Sequence, residues 1–353
     1  MTTLVKPVKE KVKSEEDIVI KSRPIFAISI IAVGIILILI GMVTSISTGA
    51  AGISFSVVLD AVFHFNPSLE QHQIVYNLRF PRALTGALIG AGFAVSGAIM
   101  QGMTRNPLAD TGLLGINAGA GFVLVVVFAF YPNMEFKYLI LFSFIGAGLG
   151  VGLIYAIAYF AKGGLTPLRL VLAGAIIGSL VKGITQIISL VSGVSYELAF
   201  WSAGGISAVE WFQVKVIIPW ITIGLLGAIA ISPKLTILSL GEEVAIGLGQ
   251  GTKVIKALAA VVVLLLVGAS VSTVGGVGFI GLIVPHIVRF LVGVDYRLII
   301  PCSAVVGAVI VVIADIGAKL INMPYETPLG SIMAVLGVPF FLYLARKEKR
   351  ELI

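Results

Sequence analysis

Charge is scarce in this chain. Of its 353 residues only 12% are charged while 58% are hydrophobic, and the mean hydropathy is +1.11. Soluble domains carry about 25% charged residues, so this composition cannot cover a water-facing surface and places the chain among membrane proteins. Cysteine is nearly absent. The single Cys302 excludes a disulfide framework within one chain and a multi-thiolate metal site, and its apolar neighbours mark it as a small core residue. Histidine is also sparse, with His64, His72 and His286 only. His64 and His72 have no cysteine or carboxylate constellation nearby, and His286 reads as structural, so neither metal nor cofactor is expected on the protein itself. No His-Glu-x-x-His or Gly-x-Ser-x-Gly motif suggests a membrane-embedded hydrolase. A Gly-x-x-x-x-Gly-Lys-[Ser/Thr] phosphate loop is also missing, the stretch 247–253 being only a loose likeness, so any ATP hydrolysis belongs to another chain.

What the chain has in quantity is long apolar runs and 41 glycines. A helix crosses a bilayer core in about 20 apolar residues. On that measure the fold class is all-α and polytopic, with about ten transmembrane helices near 25–46, 82–104, 114–131, 138–160, 168–191, 213–232, 256–274, 278–293, 299–318 and 329–346. The run 257–288 is divided in two because it contains Gly275-Gly276 and Pro285. Residues 1–23 form a polar, basic tail, 24–346 the membrane domain and 347–353 a second short tail. The net charge of +7 is no nucleic-acid footprint, since the basic residues gather at the ends of apolar runs. With both termini cytoplasmic, every Lys and Arg except Arg79, Arg82, Lys137, Lys182, Lys215 and Lys319 falls on the cytoplasmic side, as the positive-inside bias requires. Gly86 and Gly90, Gly146 and Gly150, Gly148 and Gly152, and Gly174 and Gly178 are spaced for close helix approach.

Few ionisable groups interrupt the spans. Asp315 and Lys319, four residues apart on one helix, read as an ion pair. Lys182, inside the fifth span, has three readings open: it snorkels, it meets a carbonyl, or it faces a polar cavity. The longest cytoplasmic loop, 232–256, alternates short apolar runs, glycines and the acidic pair Glu242-Glu243. It is the candidate grip for a cytoplasmic partner and is expected to form two short helices broken at Gly247.

Several ordered segments carry a resemblance. Arg79-Phe-Pro-Arg82, Ser96-Gly-Ala-Ile-Met-Gln101, Arg105-Asn-Pro-Leu-Ala109, Leu114-Gly115, Leu240-Gly-Glu242 with Leu248-Gly249, Gly278-Phe-Ile-Gly-Leu-Ile-Val-Pro-His-Ile-Val-Arg289, Glu326-Thr-Pro-Leu-Gly330 and Gly337-Val-Pro-Phe-Phe341 together resemble the FecCD family of permeases. The likeness runs over roughly residues 25 to 346. It implies a transport subunit rather than an enzyme, in the membrane part of an ATP-driven importer for a ferric siderophore, with haem or cobalamin as alternatives. An ion-coupled secondary transporter is the rival class. The implied partners are a second permease subunit (identical or homologous), a cytoplasmic ATPase dimer, an extracytoplasmic substrate-binding protein or lipoprotein, and the metal-chelate cargo.

The resemblance also assigns sites. Arg79, Arg82 and Lys319 become the docking charges for the binding protein, with Lys at 319 lacking the planar fork of an Arg. Gly241, Glu242, Glu243, Gly247, Leu248 and Gly249 become the ATPase contact. Ser96, Gly97, Met100 and Gln101 become a wall of the translocation pathway, and Thr166 and Pro167 an inner gate. Arg105-Asn106-Pro107 reads as a helix-ending turn, because Pro107 biases Asn106 out of the helical region.

Overall fold

The computed structural model describes residues 22–49, 52–110, 115–160, 167–207, 209–323 and 325–351. The first tail up to residue 21, Leu114 and Thr166 lie outside the described residues. Among these residues every regular element is helical. In chain order they are α1 (Pro24–Ser47), α2 (Phe55–Phe63), α3 (Glu70–Ile74), α4 (Phe80–Thr104), α5 (Ile116–Phe130), α6 (Phe136–Phe160), α7 (Pro167–Val191), α8 (Ser195–Ser202), α9 (Trp211–Leu240), α10 (Glu242–Gly247), α11 (Thr252–Val274), α12 (Ile280–Val292), α13 (Tyr296–Leu320) and α14 (Leu329–Glu351). A wide π turn, Val75–Arg79, joins α3 to α4.

Each of the ten expected apolar segments falls on a helix. Among the described residues six candidate spans are long and apolar enough to cross a membrane, and four shorter apolar helices accompany them. The division of the run 257–288 occurs at the glycines: α11 ends at Val274 and Gly275 turns with φ +77°. Between α1 and α4, α2 and α3 are helices that hydropathy alone did not indicate.

α4 is the axis of the bundle, buried along nearly its whole length. α13, α9, α12 and α11 surround it. The approach is closest where no side chain intervenes. Gly90 faces Gly307 of α13, and a Cβ on either would collide with the other's backbone. A Cβ on Gly97 would likewise collide with the backbone of Gly281 in α12. In lipid, where apolar burial gives helices little reason to associate, such backbone packing supplies the attraction. Of the other expected pairs, Gly146 and Gly150 press on Gly119 and Gly115, whereas Gly152 and Gly178 face open space. By contrast α1 exposes Ile25, Ile28, Ile36, Leu39 and Ile40, as a lipid-facing helix should.

The largest departure from expectation is in α9. Its helix does not stop near Ser232 but runs through Pro233 to Leu240. Proline removes one backbone donor and leaves the carbonyl four residues earlier without its bond. Here that carbonyl, Ile229, accepts from the Ser232 hydroxyl at 2.7 Å, so the helix continues. The supposed loop 232–256 is thus the end of α9, the short α10 and the start of α11, with one short helix where two were expected.

Candidate functional site

Three places concentrate polar chemistry. The first lies where α1 and α13 end and α4 begins. Arg82 donates through Nε and Nη2 to Asp315 Oδ1, each at 2.8 Å, and through Nη1 to Glu326 Oε1 at 2.6 Å. Lys319 Nζ reaches Asp315 Oδ2 at 2.8 Å, as the i,i+4 spacing suggests. Ser45 closes the ring: its hydroxyl donates to Asp315 Oδ2 at 2.6 Å and accepts from Lys319 at 2.8 Å. Arg82, Asp315 and Lys319 are almost wholly buried, and Glu326 opens to the surface. A buried charge is tolerated when paired and hydrogen-bonded, and these three are. Arg79, beside them, donates to the last carbonyls of α1, Ile46 at 2.7 Å and Ser47 at 3.2 Å. The structure therefore brings the three expected docking residues together. It gives the two innermost, Arg82 and Lys319, acidic partners inside the chain, so neither offers a free charge at the surface. Ser45 and Glu326 are functional-looking members the sequence did not single out, although Glu326 opens one of the motif segments.

The second place is the opposite end of α4. That helix ends at Arg105, left-handed at φ +53°, and Asn106 Oδ1 accepts from Leu108 N at 2.9 Å, the helix-ending turn expected there. Next to it, Gly241 turns the chain at φ +142°, a conformation disfavoured for a side chain, and delivers α10. Glu242 pairs with Lys256 at 2.7 Å. The hydrogen bond from Lys256 holds the Glu242 carboxyl below its ordinary range, against the opposing effect of its partial burial. Ala245 anchors α10 to the bundle, while Glu243, Val244, Ile246 and Leu248 are exposed. Gly247 and Gly249 are also exposed, Gly249 in the left-handed region.

The third is a cavity of about 620 Å³ against the flank of α7, bounded also by α5 and α8. Ser179, Lys182, Gln186 and Ser189 of α7 line it, with Asn117 and Trp201 opposite. Of the three readings of Lys182, the cavity is the one realised.

Ser96, Gly97, Met100 and Gln101 are placed elsewhere, fully buried in the bundle. Ser96 donates to Gly92 O within its own helix at 2.7 Å. Gln101 donates to the carbonyls of Gly281 and Leu282 at 3.2 and 3.3 Å and accepts from Arg289 at 3.2 Å. Gly281 is four residues before Pro285, so its carbonyl lacks a helical donor and Gln101 supplies one. Pro167 is the first residue of α7, a position where its missing N–H is harmless. His286 lies edge-on to Phe340 at 5.8 Å.

Fold and composition together define a multi-pass integral membrane protein with a buried ionic cluster at one end, an exposed short helix at the other and a polar cavity in its flank. The chain belongs to the FecCD transport family, whose pattern matches residues 24–347. It is 47% identical over 96% of its length, and 88% of the relative's, to the iron(3+)-hydroxamate import system permease protein FhuB of Bacillus subtilis (strain 168). It is 40% identical to the Fe(3+)-citrate import system permease protein YfmD of the same organism, covering 93% of this chain and 98% of that one. Among solved structures it resembles an inward-facing conformation of a metal-chelate type ABC transporter, with a TM-score of 0.79 and 26% identity over 90% of this chain and 99% of that one.

Proposed function

We propose that this protein is the membrane permease subunit of a binding-protein-dependent, ATP-driven importer that moves a ferric siderophore into the cytoplasm. The observation that carries this reading is the family match along residues 24–347, nearly the whole chain. The relatives named iron(3+)-hydroxamate and Fe(3+)-citrate permeases favour a ferric chelate over haem or cobalamin as cargo. In this reading ten helices cross the membrane with both termini cytoplasmic, and two permease subunits work with a separate ATPase dimer and an extracytoplasmic binding protein.

α10 is the ATPase contact. Its exposed Val244, Ile246 and Leu248 have apolar surface at a helix end that also carries charge, where lipid is an unsuitable neighbour. At the other end Arg79, Arg82 and Lys319 meet the binding protein, whose carboxylates would have to compete with Asp315 and Glu326. Thr166 and Pro167 remain the inner gate of this scheme. Ser96, Gly97, Met100 and Gln101 support the pathway through the α4–α12 contact, and the α7 cavity faces it. An ion-coupled carrier is less well supported, because Asp315, the buried carboxylate near the end of α13, is held by two cations and a hydroxyl rather than left to exchange protons.

The test is ⁵⁵Fe uptake across a chelator panel in a strain lacking the gene, with complementation. Selective loss for ferric chelates that returns with the gene, and that requires ATP, is the expected result. Unchanged uptake of every chelate would sink the siderophore reading, and uptake driven by an ion gradient without ATP would favour the secondary-transporter class.

A further inference from the structure

The α7 cavity has a chemical character of its own. Ser179, Lys182, Gln186 and Ser189 are spaced three or four residues apart, so they form one polar stripe on the helix. The adjoining face of α7 exposes Ile176, Leu180 and Ile187, which suit lipid. Lys182 is nine residues from the end of α7 at Val191 and farther from its start. At about 1.5 Å per residue that is roughly 13 Å of helix, too deep for a lysine to reach the headgroups along its own helix. A charge at such depth is expensive and marks a function. No residue lining the cavity is acidic, and among the described residues no carboxylate pairs with Lys182. The cavity therefore carries one positive charge among neutral polar groups and no acidic one, a setting that attracts anions.

A second observation comes from the opposite wall. Asn117 Oδ1 and Trp201 Nε1 are buried without a hydrogen-bond partner among the described residues. Both atoms are closed off from solvent in this arrangement, but both belong to side chains that line the cavity. A small turn of either side chain would bring its polar atom to the cavity, where the indole N–H, a donor only, suits an oxygen acceptor.

We propose that this cavity is a cargo-contact site for net-negative, oxygen-rich ferric chelates, and that Lys182 is the residue that selects them by charge. The proposal rests on the permease reading above. Neutral chelates pass the same surface through the hydroxyl and amide groups of Ser179, Gln186 and Ser189 without needing the ammonium group.

The test uses cells carrying the complete transport system with wild-type, Lys182→Met or Lys182→Arg permease. The probes are ⁵⁵Fe-citrate, which is net negative, and a ⁵⁵Fe-loaded neutral trihydroxamate. Lys182→Met is expected to lower citrate-bound uptake about tenfold, the equivalent of one lost ion pair, with trihydroxamate uptake within about twofold of wild type. Lys182→Arg keeps the charge and should retain most uptake of both. Equal loss of both probes, no loss of either, or a wild-type system that imports only the neutral probe would each overturn the proposal. The neutral probe also reports whether Lys182→Met is folded and inserted. If no uptake depends on the gene at all, the permease reading fails, and this site with it.

Discussion

The two ends of α4 handle polar groups in opposite ways. At its start, Arg82 is enclosed with Asp315, Lys319 and Ser45, and only Glu326 reaches the surface. At its finish, α10 leaves Val244, Ile246 and Leu248 uncovered, and its one ion pair, Glu242–Lys256, is partly exposed. The first end is satisfied within the chain and needs nothing to be stable. The second presents apolar surface that the described residues do not cover. Charge is thus a poor guide to which end is adhesive: the ionic cluster ties three helices together, and the end left incomplete is the one whose uncovered surface is largely apolar.

The sharpest way to break this comparison is at Asp315. Asp315→Ala strands Lys319 as a buried cation and leaves Arg82 with Glu326 alone, and loss of one partner of such a pair costs about 3–5 kcal/mol. Thermal unfolding in detergent should show a large drop in stability, with little protein reaching the membrane. Replacing Arg82, Asp315 and Lys319 together by Met, Leu and Met should recover much of it, because an apolar set of similar volume often does as well as an ion cluster. Recovery of folding without recovery of uptake would separate the structural role of these residues from docking.

Leu248→Glu tests the open end. Leu248 is exposed and caps α10 through its backbone N–H, which a Glu retains, so stability should change by less than about 0.5 kcal/mol and unfolding should be near normal. Uptake should nevertheless fall by about tenfold or more, with the ATPase no longer co-purifying. Normal uptake in this variant would remove α10 from the coupling surface.

The smallest effect is expected for Glu242→Gln. A partly exposed ion pair is worth no more than about 1 kcal/mol. Its carboxyl is held below the unfolded value of about 4.3, so its contribution is present above that pH and disappears as pH falls through the lower folded value. The stability gap between wild type and variant, measured by denaturation from pH 7 to pH 3, should close on the acidic side. A gap that persists at pH 3 would mean that the charge on Glu242 is not what stabilises α10.

Much of the fold was legible because hydropathy is a local signal: α1, α4, α11 and α13 each announce themselves within their own residues. The i,i+4 contact of Asp315 with Lys319 was legible for the same reason. What was hidden depends on distance along the chain. Arg82 meets Asp315 across 233 residues and Glu326 across 244, and no local pattern in one sequence specifies such pairs. The continuation of α9 was hidden for a subtler reason. Pro233 reads as a stop, and the Ser232 hydroxyl that takes over the bond it removes is not visible in a proline count. The polar stripe on α7 was visible only as the oddity of Lys182, since a cavity is a property of the neighbouring helices as well.

That continuous α9 has a mechanical meaning. Its 30 residues make a rod of about 45 Å. At one end the Trp211 indole is bonded to Tyr76 O at 2.7 Å, three residues before Arg79. At the other, Gly241 alone separates it from α10. Force applied to α10 from below would arrive at the Arg79 turn as axial or tilting motion rather than being absorbed in a slack loop, and Pro219 would be the joint at which such a strut bends first.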